Sequence, residues 1–245
     1  METGAPTGEQ TTGRIQDAMD TDERAVLFAD LDGYTALTEA HGDLDGFEVA
    51  SQFAATARGL LRGDAWLVKT IGDAVLIVTA SPDAALDIAA ELVAAIDAID
   101  HYPSVSAGIH LGPVVEHDGD VFGRAVNLAA RTAAHARPGQ VLCTAALVER
   151  LHADRRTQLL PLGEVRFPNI PETVALHALR HGDEAAYAID PVCRMKVGPD
   201  TAAATLRDDR GSHHFCSRGC LQTYLERPDA YPSPDSPSGS HNRSR

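Results

Sequence analysis

Short apolar runs and helical stretches follow one another along this chain in an order that leaves few architectures open. AVLFADL, residues 25–31, reads as a buried strand. TALTEAHGDLDGFEVASQFAATARGLL then reads as helix with a polar break around Gly42 to Asp45. In AWLVKTIGDAVLIVTA two apolar runs are parted by Ile71-Gly72-Asp73, the pattern of a hairpin. SPDAALDIAAELVAAIDAI is a long helix with Ser81 as N-cap, Pro82 at the first helical position and Asp83 in the first turn. SVSAGIHLGPVVEHDGDVF reads as two strands around a turn, and GRAVNLAARTAAHA as a helix stopped by Pro138-Gly139. QVLCT, LLPLGEVRF and TVALHAL add short strands. The order βα, ββα, ββα with further strands predicts an α+β domain, its helices against one face of a mainly antiparallel sheet.

With 245 residues, 44% of them hydrophobic, the chain can bury one sizeable core and carry a smaller module. Residues 1–22 lack apolar periodicity and the tail at 233–245 is rich in Pro and Ser, so both ends are expected to be disordered. The main domain is expected over 23–181, a linker over 182–189 and a second module over 190–232. A formal net charge of −14 argues against nucleic acid and against an anionic membrane surface as partners. Neither a membrane span nor the basic-then-apolar layout of a signal peptide is present, so a cytoplasmic location is expected. In that compartment Cys143, Cys193, Cys216 and Cys220 read as thiols or metal ligands rather than disulfide partners.

Asp30 ends a strand and Asp73 lies in the next hairpin, so pairing those strands brings two carboxylates together. Such a pair calls for a cation, and hard oxygen ligands suit Mg²⁺ or Mn²⁺, which complete their shells with water and phosphate. On GRAVNLAARTAAHA, Asn127 and Arg131 are one turn apart and share a face, an amide beside a guanidinium suited to a ribose and a phosphate.

VLFADLDGYTALTE, VKTIGDAVLIV and AGIHLGPVV…GDVFGRAVNLAAR resemble the successive signatures of the class III adenylate/guanylate cyclase catalytic domain, over roughly residues 23–180. The resemblance implies a ferredoxin-like cyclase fold. It implies that Asp30, Asp73 and the carbonyl of Leu31 hold two Mg²⁺ or Mn²⁺ ions per site, and that the amides of Gly33, Tyr34 and Thr35 hold the triphosphate. Lys69 and Asp120 match the purine-reading pair, Asn127 and Arg131 the pair that orients the ribose and stabilises the reacting phosphate. Asp32 stands where that family varies and is expected to be a turn or N-cap acid. The implied reaction converts ATP to 3′,5′-cyclic AMP and pyrophosphate in a homodimer, with purine and clamp residues from one subunit and metal aspartates from the other. The C6 amino donor and N1 acceptor of adenine match Asp120 and Lys69, whereas guanine presents the reverse. Guanylate cyclase activity, and a metal-binding sensor whose cyclase fold is a weak or silent dimerising scaffold, stay open beside that reading. One departure is Pro168-Asn169, where many relatives carry lysine and glycine on the triphosphate; Arg166 is the expected substitute. The stretch between His117 and Asp120 is short for the arm that clasps the partner subunit.

Cys193, Cys216 and Cys220 form C-x22-C-x3-C, a spacing suited to Zn, Cu or Fe, with His213, His214 or Met195 as candidate fourth ligands. Asp190-Pro191-Val192-Cys193, Met195, Phe215-Cys216-Ser217, Cys220, Pro228 and Tyr231 resemble the YHS domain, a small treble-clef-like module associated with heavy metals. Arg194 stands where that module usually has glycine. Three readings stay open: a metal that only staples this small module, a regulatory metal or redox sensor, and no metal at all. Cys143 is expected in a buried strand. His41, His101, His110, His117, His135, His152, His177 and His181 show no mutual ligand spacing and are expected to be surface or core residues.

Overall fold

The eleven-residue strand β1, Thr21–Leu31, pairs along its whole length with β4, Val105–His117, in antiparallel register from Thr21 opposite Val115 to Leu31 opposite Val105. The computed structural model describes residues 21–180, 187–198 and 200–231. The expected N-terminal segment up to residue 20, the linker residues up to 186 and the tail fall outside them. β1 starts four residues before its apolar run because backbone pairing with β4 extends it, and Arg24 reaches across to Glu116 at 2.9 Å.

Helices α1, Tyr34–His41, and α2, Asp43–Gly59, follow, broken at Gly42 alone (φ 93°). The hairpin of β2, Trp66–Ile71, and β3, Ala74–Thr79, turns through Gly72 and Asp73 as the sequence predicts. In α3, Pro82–Asp97, the Ser81 side chain accepts from Ala84 N at 3.2 Å, the expected cap. β5, Asp120–Phe122, folds back on β4, and α4, Arg124–His135, follows it. β6, Val141–Thr144, the short helices α5, Ala145–Val148, and α6, Ala153–Arg156, then β7, Leu159–Arg166, and β8, Thr173–Leu179, complete the domain. The two four-residue helices escaped sequence reading because one turn carries no periodicity.

The sheet runs β2-β3-β1-β4-β6-β8-β7, with β5 beside β4; every pairing is antiparallel except β4 with β6. Helices cover both faces, which corrects the expectation of one. Ala25, Leu27, Ala29 and Leu31 pack with α2 and α3, whereas Val26, Leu76 and Val78 pack with Ala125 and Ala129 of α4. A strand buried on both sides has no polar face, hence the unbroken apolar run in β1.

The C-terminal unit pairs β9, Ala188–Ile189, with β10, Lys196–Val197, and β11, Ala204–Asp208, with β12, Gly211–Phe215. Helix α7, Arg218–Glu226, is capped by Ser217, which accepts from Cys220 N at 3.1 Å. Its apolar cluster of Val192, Cys193, Met195, Phe215, Cys220 and Tyr224 takes in Leu37 of α1. The buried Lys196 donates to the Ile96 carbonyl at 2.8 Å and meets Asp97 at 3.0 Å, anchoring the unit to the end of α3.

Candidate active site

Asp30 lies opposite Ala74 in the β1–β3 ladder, and Leu31 N donates to the Asp73 carbonyl at 3.3 Å. The two aspartates therefore sit side by side at one end of the neighbouring interior strands β1 and β3. Asp30 shares the parity of Val26 and Phe28, the side that packs toward α4. Directly after it the chain turns through Gly33 (φ 77°), and the first amides of α1, which have no acceptor within the helix, belong to Tyr34 and Thr35. Tyr34 packs on the central core, and burial, then the charge of Asp73, then that of Asp43, raise its phenol above its usual pKa. Asp32 is the turn acid the sequence suggests, while Gly33 holds the N-cap position; the Asp32 amide donates to the Ser104 carbonyl at 2.8 Å and its carboxylate lies 3.7 Å from Arg194.

Lys69 on β2 and Asp120 on β5 meet at 2.6 Å. The Lys69 hydrogen bond, followed by one from Val121 N, holds the Asp120 carboxyl below its usual pKa. The Lys69 ammonium also lies 5.8 Å from the centre of the Phe122 ring. The pair arises because β4 and β5 are joined by the tight turn of Asp118 and Gly119, both at positive φ (50° and 78°), which returns Asp120 opposite His117. A cleft of about 220 Å³ beside Asp120 is lined by Trp66 and the turn residues.

Asn127 and Arg131 line a second cleft of about 610 Å³, together with Gly123, Asn169 and Pro171. α4 reaches this position by pressing its backbone onto Gly108 of β4: a Cβ there would sit 2.1 Å from Ala133 N and 2.6 Å from the Ala129 carbonyl. Asn169, in the departure noted above, holds φ 62° and faces the same cleft. Arg166, expected to supply the missing cation, donates from one guanidinium nitrogen to the carbonyl of Pro171, which itself lines this cleft, at 3.3 Å.

The three C-terminal cysteines converge, with Cys216 Sγ 3.4 Å from Cys193 Sγ and 3.6 Å from Cys220 Sγ. The imidazole beside them belongs to His41, whose Nε2 lies 3.5 Å from Cys216 Sγ and 3.6 Å from Cys220 Sγ. This overturns the reading of His41 as an ordinary surface or core residue. The candidates named from sequence are otherwise engaged: His213 Nε2 with Asp208 at 3.0 Å, His214 with Thr205 at 3.3 Å, and Met195 in the apolar cluster. Sequence spacing had no means of finding His41, since it belongs to a different unit. Cys143 is buried in β6 as expected, and burial pushes its thiol up to about 12. Arg194 was visible only as an odd residue where glycine is usual; its φ of 67° explains that usage, and its side chain covers Gly33.

Residues 17–180 match the family model described as the adenylate and guanylate cyclase catalytic domain. The chain is 40% identical over 126 residues to a pH-sensitive adenylate cyclase of Mycobacterium tuberculosis, covering 51% of this chain and 32% of that protein. To an adenylate cyclase of Streptomyces griseus it is 37% identical over 146 residues, covering 57% of this chain and 37% of the relative. The chain thus spans about a third of the length of these curated relatives. Among solved structures, adenylate cyclases of Trypanosoma brucei superpose with a TM-score of 0.60 at 28% identity, over 64% of this chain and 88% of theirs. An adenylyl cyclase of P. aeruginosa superposes with a TM-score of 0.59 at 15% identity, over 69% of this chain and 99% of that one, a likeness of fold.

Proposed function

This chain belongs to the family of adenylate and guanylate cyclase catalytic domains, and we propose that it is an adenylate cyclase, converting ATP to 3′,5′-cyclic AMP and pyrophosphate. The observation that carries the substrate choice is the contact of Lys69 with Asp120 at 2.6 Å, an ammonium donor beside a carboxylate acceptor. Adenine offers the complement of that pair, an acceptor at N1 and a donor at C6. Guanine would set its C6 oxygen against a carboxylate, leaving two acceptors face to face.

The carboxylates of Asp30 and Asp73 with the carbonyl of Leu31 make an all-oxygen donor set at adjoining strand ends, which fits Mg²⁺ or Mn²⁺. Two such ions, when bound, would lower the pKa of the ribose 3′-hydroxyl and neutralise the triphosphate. In the reaction the 3′-oxygen forms a bond to the α-phosphorus while the bond to the β-phosphate's bridging oxygen breaks; pyrophosphate leaves with the electron pair and the hydroxyl proton passes to solvent. Gly33, Tyr34 and Thr35 offer backbone N–H groups to the triphosphate at the start of α1. Asn127 orients the ribose, and Arg131 places positive charge where it is needed as the α-phosphoryl group crowds.

We place these two sets of residues on opposite protomers of a homodimer, giving two equivalent composite sites. Leu44 and Phe47 at the start of α2, 79% and 67% exposed, leave apolar surface for a partner to cover. The unit over residues 190–232 is assigned as a YHS-like metal-handling module, and its unpaired thiols suit a cytoplasmic setting. Among the described residues no helix is long and apolar enough to cross a membrane.

The deciding experiment incubates purified protein with Mn²⁺ and either ATP or GTP, with Asp30→Ala as control. Cyclic AMP from ATP above that control is expected. Cyclic GMP as the main product would make the chain a guanylate cyclase, and no product above control would leave a metal-binding sensor on a silent scaffold.

A further inference from the structure

Helix α1 carries a different chemistry at each of its ends. Its first residues, Tyr34 and Thr35, follow Gly33 in the loop assigned to the triphosphate, and its last, His41, turns its Nε2 onto the sulfurs of Cys216 and Cys220. With Cys193 they form a group whose ligand atoms all lie within 4.8 Å of one another. Four of the six separations are 3.4, 3.5, 3.6 and 3.6 Å. A tetrahedron with edges of about 3.5 Å has its centre about 2.1 Å from each corner, which matches the roughly 2.0–2.1 Å of a zinc–imidazole and the roughly 2.3 Å of a zinc–thiolate bond. Asp190, fully buried, braces the group: its carboxylate accepts from Val192 N and Cys216 N, both at 2.8 Å, and from Cys193 N at 3.4 Å.

We propose that the fourth ligand of the cysteine site is His41, so that one zinc-class ion, held by three thiolates and an imidazole, staples the C-terminal unit to helix α1 of the cyclase domain. A soft-ligand site shared between two units adds a metal-dependent tie at α1 to the Lys196 anchor at α3. The same staple seats the Cys193 turn on the phosphate loop. That turn is closed by Arg194 N donating to the Asp190 carbonyl at 2.9 Å. The Cβ of Arg194 lies 2.3 Å from where a side chain on Gly33 would begin, and its guanidinium lies 3.7 Å from Asp32. An ion at one end of α1 thereby holds a cationic side chain over the other. Ligation and attachment are both read without a nucleotide, so they are tested apart from the cyclase reaction.

The full chain, stripped of metal and titrated with Co²⁺ under reducing conditions, should bind one ion with the ligand-field and thiolate charge-transfer absorption of a tetrahedral site. His41→Ala should shift those bands and weaken binding by at least the roughly ten- to hundredfold that loss of even an outer-shell partner costs. His41→Cys should restore tight binding with a four-thiolate spectrum, which guards against mistaking misfolding for lost ligation. His214→Ala should change neither. Hydrogen exchange of the Tyr34–His41 amides should quicken when wild-type protein is stripped of metal. Identical spectra and affinity for wild type and His41→Ala would overturn the proposal, showing the site complete within the C-terminal unit. So would unchanged exchange on stripping, or isolation of the protein with no metal and a Cys193–Cys216 disulfide.

Discussion

Lys69 Nζ and Asp120 Oδ2 lie 2.6 Å apart although 51 positions separate them in the chain. The edge strand β2 supplies one and the short return strand β5 the other. Removing either partner should blunt purine discrimination more than it blunts turnover. Lys69→Ala and Asp120→Ala are each expected to lower the ratio of kcat/KM for ATP over GTP by about tenfold or more. Competitive turnover of the two nucleotides measures it, and an unchanged ratio would remove this pair from base recognition.

The composite sites proposed above predict complementation. Asp30→Ala and Arg131→Ala should each be inactive alone, the arginine change costing about a hundredfold or more in kcat. Mixed and allowed to exchange subunits, they should recover about a quarter of wild-type activity, since about half the dimers are mixed and each of those holds one intact site. No recovery would place both sets of residues within one protomer.

Gly108 governs where α4 lies. A methyl group there would meet the helix backbone at Ala133 N, 2.1 Å away, with no flexible side chain to yield. Gly108→Ala should cost about 1–3 kcal/mol or more of stability in equilibrium unfolding. Because α4 carries Asn127 and Arg131, kcat should fall even below the melting transition. Wild-type stability in that variant would show that the helix slides freely on the sheet.

His110 sets a lower pH limit on stability. Burial, and secondarily the Arg124 charge, push its imidazole down to about 4 from 6.5, while Nδ1 stays within 2.8 Å of the Thr144 hydroxyl. A depressed folded-state pKa means that the unfolded chain takes up the proton first as pH falls. The contribution is fully present above about pH 6.5 and is lost between 6.5 and 4, amounting to about 3 kcal/mol at pH 4. Urea unfolding at pH 7.5 and 5 should show about 2 kcal/mol of that loss, and His110→Asn should show less of it.

Much of the fold was legible because local signals agreed. Ser81-Pro82 opened a helix, Gly72-Asp73 turned a hairpin, and Pro138-Gly139 ended the helix bearing Asn127 and Arg131. The continuous apolar run of β1 also contained the news that both faces are covered, but a run without alternation reads alike for a strand under one layer or two. The start of β1 at Thr21 was hidden for a different reason: its outer residues are held by the β4 backbone, to which side-chain patterning is blind.

The chain's order of residues thus determined by itself most of the strands, the longer helices, and the kinds of donor they carry: carboxylates at Asp30 and Asp73, thiolates at Cys193, Cys216 and Cys220, an amide and a guanidinium one turn apart at Asn127 and Arg131. Those are properties of residue type and of spacing within one element, where backbone geometry dictates who shares a face. Tertiary structure alone decided that His41 meets Cys216 and Cys220, that Arg194 covers Gly33, and that Arg166 reaches the Pro171 carbonyl. Each of those depends on how separately formed elements pack, and packing is settled by the burial of whole surfaces, so no short stretch of sequence encodes which two side chains it will bring within reach.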